Sequence, residues 1–196
     1  MRYLIPLVAF CFAVPAANAA EVKTTLAAGC FWSMEKTFDH APGVINVVSG
    51  YAGGSLDHPT YQNYHDADDG AVPHVEAIEV TYDDTKTSYA QLLNYYFHHI
   101  DPTDGRGQFC DFGVGYKPVI FTADDVQKKV AEDAKKATSE ELDKDVAVEI
   151  RPAGTFWPAE EYHQDYYKKN PESYDRYAKG CGRAYKLKAV WGSKAP

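Results

Sequence analysis

Cys30 stands directly after Gly29, between a short β-like run (Glu21 to Leu26) and a stretch from Phe31 to about His40. In that stretch Phe31, Met34 and Phe38 recur at helical spacing. The cysteine therefore falls at the first turn of a helix. Backbone N–H groups there lack helical partners, and the macrodipole places partial positive charge nearby. Both favour thiolate over thiol, and the thiolate is the nucleophile. The alternative is a buried, inert cysteine. Phe31 and Trp32 follow at once. Two adjacent large aromatics do not readily share the core from one helical turn, so one of them is expected to wall a site beside the sulfur; the plainer reading leaves Trp32 at the core edge.

The other cysteines are Cys11, Cys110 and Cys181. Cys11 lies in an N-terminal stretch that reads as a secretory signal. Arg2 is a lone positive charge, Leu4 to Val14 is largely apolar, Pro15 breaks the run, and Ala17-Asn18-Ala19 offers small residues for cleavage after Ala19. The run is shorter than the roughly 20 residues that span a bilayer, and bulky Phe10 argues against lipidation at Cys11. Residues 1–19 are thus read as a leader and 20–196 as one domain. The expected location is outside the cytoplasm, periplasmic or otherwise extracytoplasmic, with no stable membrane association. An oxidising compartment and three remaining cysteines leave one thiol unpaired by any single structural disulfide.

The intervening sequence supplies the elements that must position these groups. Pro42-Gly43 ends the first helix, and β-branched Val44 to Tyr51 reads as a strand. Asp57 to Pro73 reads as a long surface loop of the kind that carries function. Val75 to Tyr82 alternates imperfectly as a strand and sends Glu76 and Glu79 to opposite faces, so Glu76 requires an explanation. Ser88 with Gln91 makes a capping box for a helix to about His98. Asp101 to Gly115 reads as loop, Pro118 to Phe121 as strand, Thr122 with Asp125 as the start of a helix to about Thr138, and Val146 to Ile150 as strand. Glu160 to Lys169 reads as helix, and the remainder as a mostly irregular tail. The order indicates an α+β two-layer sandwich with a ferredoxin-like core.

Several blocks then resemble one family. Gly29-Cys30-Phe31-Trp32-Ser33-Met34-Glu35 looks like the nucleophile motif of the A-type peptide methionine sulfoxide reductases. Gly50-Tyr51-Ala52-Gly53-Gly54, His58-Pro59-Thr60-Tyr61, His74-Val75-Glu76-Ala77 and Asp101-Pro102-Thr103 resemble its further blocks in the same order, and the match runs from about Thr24 to Trp191. The resemblance implies reduction of methionine S-sulfoxide in oxidised proteins and peptides, or as a small molecule, with no bound cofactor or metal. It implies Cys30 as nucleophile, Glu76 as the acid that protonates the departing oxygen, Tyr61 and Tyr116 as hydrogen-bond donors to that oxygen, Asp111 as a further acid of the pocket, and Phe31 and Trp32 as walls for the methyl group. The departures are Pro73 and Val75, where Gly and Ala are more usual, and Ser33, often Gly.

Oxygen transfer leaves a sulfenic acid, which condenses with a second thiol. Family members keep resolving cysteines in the C-terminal tail, so Cys181, flanked by Gly180 and Gly182, is the expected partner of Cys30, with Cys110 as an alternative resolving thiol. A thioredoxin-like protein or a dithiol would reopen the disulfide. The plain alternative is a structural Cys110–Cys181 bond. Competing functions are a cysteine hydrolase or transferase, which lacks a local His signature; a metal-binding module using Cys and His98-His99, which lacks a paired Cys-x-x-Cys; and a methionine-peptide-binding domain without turnover. With 20 basic and 28 acidic residues and no basic stripe, a nucleic-acid partner is not expected. A monomer is.

Overall fold

The computed structural model describes residues 20–66 and 70–196, so the stretch read as a leader lies outside the described residues. Strand β1 (Glu21–Ala27) leads into helix α1 (Phe31–Phe38), β2 (Val44–Ala52), β3 (Val75–Asp83) and α2 (Tyr89–His98). A small hairpin of β4 (Gly107–Gln108) and β5 (Asp111–Phe112) precedes β6 (Val119–Thr122), α3 (Asp125–Leu142), β7 (Glu149–Pro152) and β8 (Trp157–Pro158). The chain closes with α4 (Tyr166–Lys169), α5 (Pro171–Gly180) and α6 (Arg183–Trp191).

The six-stranded sheet has the order β7-β6-β1-β3-β2-β8. Only β6 and β7 pair in parallel. Its centre, β6-β1-β3-β2 connected as β-α-β-β-α-β, is the expected ferredoxin-like arrangement. Phe31, Met34 and Phe38 of α1 join Leu26, Ile78, Val80, Leu92, Leu93 and Phe97 in one buried cluster. Each such side chain contributes about 1.5–3 kcal/mol by leaving water. Ser88 and Gln91 form the expected reciprocal cap of α2.

Four local expectations are corrected. Helix α3 is capped by Asp124, whose carboxylate accepts from the Gln127 N–H at 2.7 Å, while Thr122 ends β6. The segment from Asp101 to Gly115 is not all loop, since it carries the β4–β5 hairpin. The tail is not irregular: Pro171 opens α5 at a position where its missing N–H costs nothing, and α6 follows. α5 buries only Tyr174 and α6 only Leu187 and Trp191, too few positions to print an apolar stripe in the sequence. The stretch read as helix from Glu160 is α-helical only over α4.

Glu35 of α1 is 1 % exposed and accepts from Ser49 Oγ at 2.8 Å and from the Asp165 N–H at 2.9 Å. Gln164 bonds both backbone groups of Ser49. These contacts pin residues 160–165 across α1 and β2, above Cys30's helix.

Candidate active site

Cys30 is the N-cap of α1, its carbonyl accepting from the Ser33 and Met34 N–H groups at 3.1 and 3.3 Å. Gly29 makes that turn possible. It has φ +69°, and a Cβ there would lie 2.6 Å from Gln108 Cβ. Its N–H donates to the Tyr116 carbonyl at 3.1 Å, tying the cysteine turn to the 3₁₀ turn Val114–Tyr116. The Gln108 side chain in turn bonds the Asp101 N–H and carbonyl, both at 2.8 Å, which fastens the Asp-Pro-Thr block against the same turn.

Glu76 lies on β3 opposite Tyr51 of β2 and is 2 % exposed. Its carboxyl accepts from the Phe31 N–H at 2.9 Å and from the Tyr64 hydroxyl at 3.3 Å. Burial, aided by the nearby Asp111 charge, lifts its pKa to about 8 against those two hydrogen bonds. The Pro73 and Val75 departures leave the register intact, with Val75 paired to Ala52. His74 accepts from the Gly54 N–H at 3.1 Å and bonds the Leu56 carbonyl at 2.8 Å; a Cβ on Gly54 would lie 2.4 Å from its ring. The Gly-Gly and His-x-Glu blocks thus hold one another and aim β3.

The remaining expected groups converge on Cys30 and Glu76. The Tyr61 and Tyr116 phenols are both pushed up by burial first and then by Glu76, and both also feel Cys30. Asp111, raised by burial and held down by Tyr177, Arg183 and Lys186, faces the sulfur too. Phe31 is 1 % exposed and packs on Tyr51, whereas half-buried Trp32 stacks on Tyr166 with ring centroids 3.7 Å apart.

One electrostatic expectation is overturned. Cys30 is only 9 % exposed, and its pKa is raised, not lowered. Burial is the largest cause, followed by Glu76; the Tyr177 hydroxyl and the Trp32 N–H at the helix mouth oppose it but do not prevail. Burial thus favours the thiol over the thiolate at rest.

Sequence reasoning missed four members of the site. Tyr64, 3 % exposed, bonds Glu76 and stacks on Tyr51; its spacing of three from Tyr61 within one turn was the available signal. His163, 1 % exposed, accepts from Trp32 Nε1 at 3.0 Å and sits between the Phe31 and Tyr61 rings. Burial keeps its pKa low, so the neutral ring can accept from the indole. Tyr174 of α5 reaches Ser33 Oγ at 3.3 Å. Tyr177 of α5 faces Cys30 and donates to Asp111 Oδ2 at 2.5 Å. No sequence pattern announced α5, so none announced these two tyrosines.

Cys181 is joined to Cys110 in a disulfide with Cα atoms 5.0 Å apart, and Cys30 is free. This is the pairing weighed above as the alternative to a Cys30–Cys181 bond. His98 bonds the Asn94 carbonyl and Glu141, and His99 bonds the Tyr95 carbonyl, so neither is arranged with a cysteine. A cavity of about 460 Å³ opens on α5 and α6 beside Lys179, Gly182, Tyr185 and Leu187, none of which belongs to this constellation. The chemistry sits where the Cys30 sulfur, the buried Glu76 carboxyl and the phenols of Tyr61, Tyr64, Tyr116 and Tyr177 come together among aromatic rings. Such a set can accept an oxygen atom and protonate it as it leaves.

Comparison with known proteins points the same way. Residues 22–195 match the family described as "Peptide methionine sulfoxide reductase". The chain is similar to "Peptide methionine sulfoxide reductase MsrA 2" of Staphylococcus aureus (strain MW2), 48% identical over 87% of this chain and 96% of that protein. It is similar to "Peptide methionine sulfoxide reductase MsrA 2" of Rhizobium meliloti (strain 1021), 41% identical over 100% and 96%. Among solved structures it resembles reduced Mxr1 from Saccharomyces cerevisiae, with TM-score 0.69 and 28% identity, covering 80% of this chain and 89% of that one. The same yeast protein in complex with Trx2 gives TM-score 0.52 at 22% identity over 78% and 89%, a likeness of fold.

Proposed function

The chain belongs to the peptide methionine sulfoxide reductase family and reduces methionine S-sulfoxide to methionine; from that premise we propose how its own residues perform the reaction. Cys30 attacks the sulfoxide sulfur. Glu76, still protonated near neutral pH, hands its proton to the oxygen, while Tyr61 and Tyr116 hold that oxygen and Phe31 and Trp32 receive the methyl group. Protonation of Glu76 also removes the largest charge that opposes thiolate formation at Cys30. The oxygen passes to Cys30 as a sulfenic acid that keeps the proton given by Glu76, methionine departs, and the proton lost by the thiol restores the Glu76 carboxyl. The observation that carries this reading is the buried Glu76 carboxyl, bonded to the N–H of the residue after the cysteine. In a reductant-dependent assay on separated peptide epimers, the S form is consumed and the R form is not. Equal consumption of both would overturn the chiral pocket.

Regeneration uses the two tail-side cysteines. A thiol condenses with the Cys30 sulfenic acid, releasing water; exchange with the remaining thiol then frees Cys30 and leaves the Cys110–Cys181 bond. A thioredoxin-like protein or dithiol reduces that bond; yeast Mxr1 has been solved with such a partner. The disulfide also ties the end of α5, the helix whose Tyr177 lies against Cys30, to the β4–β5 hairpin. Replacing both Cys110 and Cys181 by Ser should leave one stoichiometric reduction per enzyme, accumulate a dimedone-trappable sulfenic acid, and cut thioredoxin-supported turnover by about tenfold or more. Unchanged turnover would make the bond structural.

The leader reading places the mature enzyme outside the cytoplasm, working as a monomer on oxidised exported proteins. N-terminal sequencing of the fractionated protein should begin at Ala20, and an intact Met1 in the cytoplasmic fraction would refute the export.

A further inference from the structure

The disulfide that regeneration must open has two unlike ends. Cys181 is buried at the C-terminus of α5. Cys110 is exposed. It stands at the tip of the β4–β5 hairpin, where Gly107 pairs with Phe112 and Gln108 with Asp111, leaving Phe109-Cys110 as the turn. Phe109 takes φ +58° and is anchored beneath the tip, 5 % exposed with Arg183 over its ring at 4.5 Å. The hairpin therefore puts Cys110 on the solvent side of the bond and Cys181 on the inner side.

Thiol–disulfide exchange is an in-line displacement: the attacking sulfur, the attacked sulfur and the leaving sulfur lie close to one axis. An attack on Cys110 comes from solvent and expels Cys181. An attack on Cys181 would have to come from the protein interior. Beside the accessible sulfur lies an apolar surface. Phe112, the last residue of β5, is 52 % exposed, and Val114 is 46 % exposed. Arg106 lies over the Phe112 ring at 5.4 Å. Apolar side chains grouped around a reactive exposed bond mark a contact surface for whatever reacts with that bond.

We propose that a dithiol protein of the thioredoxin type docks on the Phe112–Val114 surface and attacks the sulfur of Cys110, releasing Cys181. This rests on the reductase reading above. The reductant's thiolate forms a mixed disulfide with Cys110, and the electron pair of the broken bond leaves on Cys181, which takes up a proton. The reductant's second thiolate then attacks its own bridged sulfur and expels the Cys110 thiolate. The reductant ends as a disulfide, and Cys110 and Cys181 end as thiols. Cys181 is then no longer fastened to the hairpin, and α5 with Tyr177 is free to leave Cys30.

The test uses the full mature enzyme, oxidised, and a thioredoxin whose second cysteine is replaced by serine. After acid quench and alkylation of the freed thiol, peptide mapping should place the adduct on Cys110 and the alkyl group on Cys181. An adduct on Cys181 or Cys30 overturns the proposal, as does the absence of any adduct while intact thioredoxin supports turnover. In parallel, the F112S/V114S variant should raise the KM for thioredoxin about tenfold and leave dithiothreitol-supported sulfoxide reduction unchanged. An unaltered KM overturns the docking surface. Loss of the dithiothreitol-supported activity in wild-type enzyme would instead count against the reductase reading itself.

Discussion

Cys30→Ser loses sulfoxide reduction with every reductant, by about 10⁴-fold or more. The oxygen acceptor must be a nucleophile that survives as an oxidised intermediate, and a serine hydroxyl cannot take the sulfoxide oxygen. Cys110 and Cys181, thiols once a reductant has opened their bond, lack the Glu76 carboxyl that is held at the N–H of the residue after Cys30. The replacement is close in size, and Cys30 makes no side-chain cap bond in α1, so the fold should persist with an unchanged circular dichroism spectrum. The same variant separates the rival readings: a methionine-peptide-binding domain would keep its function without the sulfur. Dithiol-supported turnover above a few per cent of wild type in folded Cys30→Ser would remove Cys30 from the chemistry.

Glu76→Gln is expected to slow the first turnover by about 10²–10⁴, the usual worth of a positioned general acid. The amide keeps the shape and can still accept from the Phe31 N–H, so what is lost is the proton. Wild-type single-turnover rates should fall as pH rises through about 8, where Glu76 ionises. The variant should lack that limb. Wild-type stability falls with rising pH as well. The folded-state value lies above the ordinary value of 4.5, so the carboxyl costs nothing below that pH and destabilises the fold progressively as pH rises toward 8. At the top of that window the burden is on the order of a few kcal/mol. Glu76→Gln should therefore be more resistant to urea than wild type at pH 8 and equal to it at pH 4. A variant that reduces sulfoxide at the wild-type single-turnover rate would strip Glu76 of its role; equal urea resistance at pH 8 would show that its carboxyl is not strained by burial.

Residues that act through local pattern were legible in the chain alone. The Gly-Cys turn, the apolar spacing of α1, the Ser88–Gln91 box and the order of strands and helices each depend on neighbours within a few positions. They yielded the ferredoxin-like core and the nucleophile's place at a helix mouth. The ordered blocks contain Glu76 and Tyr61, the family resemblance added Tyr116 and Asp111, and the fold brings all four toward Cys30.

What depended on the third dimension was energetic and long-range. Whether Cys30 rests as thiol or thiolate is a contest between helix-mouth N–H groups one residue away and the burial and carboxylates supplied by β3 and β5, and only the packed chain says that burial wins. Tyr177 meets Asp111 across 66 residues and His163 meets Trp32 across 131. Such contacts leave no periodicity behind, because side chains far apart in sequence become neighbours only when the sheet and the tail helices close. The chain could name Cys30 as nucleophile and Cys181 as its expected partner, with Cys110 an alternative or the partner of Cys181 in a structural bond. The hairpin and the end of α5, by placing one sulfur outside and its partner inside, decided which of them the solvent can reach.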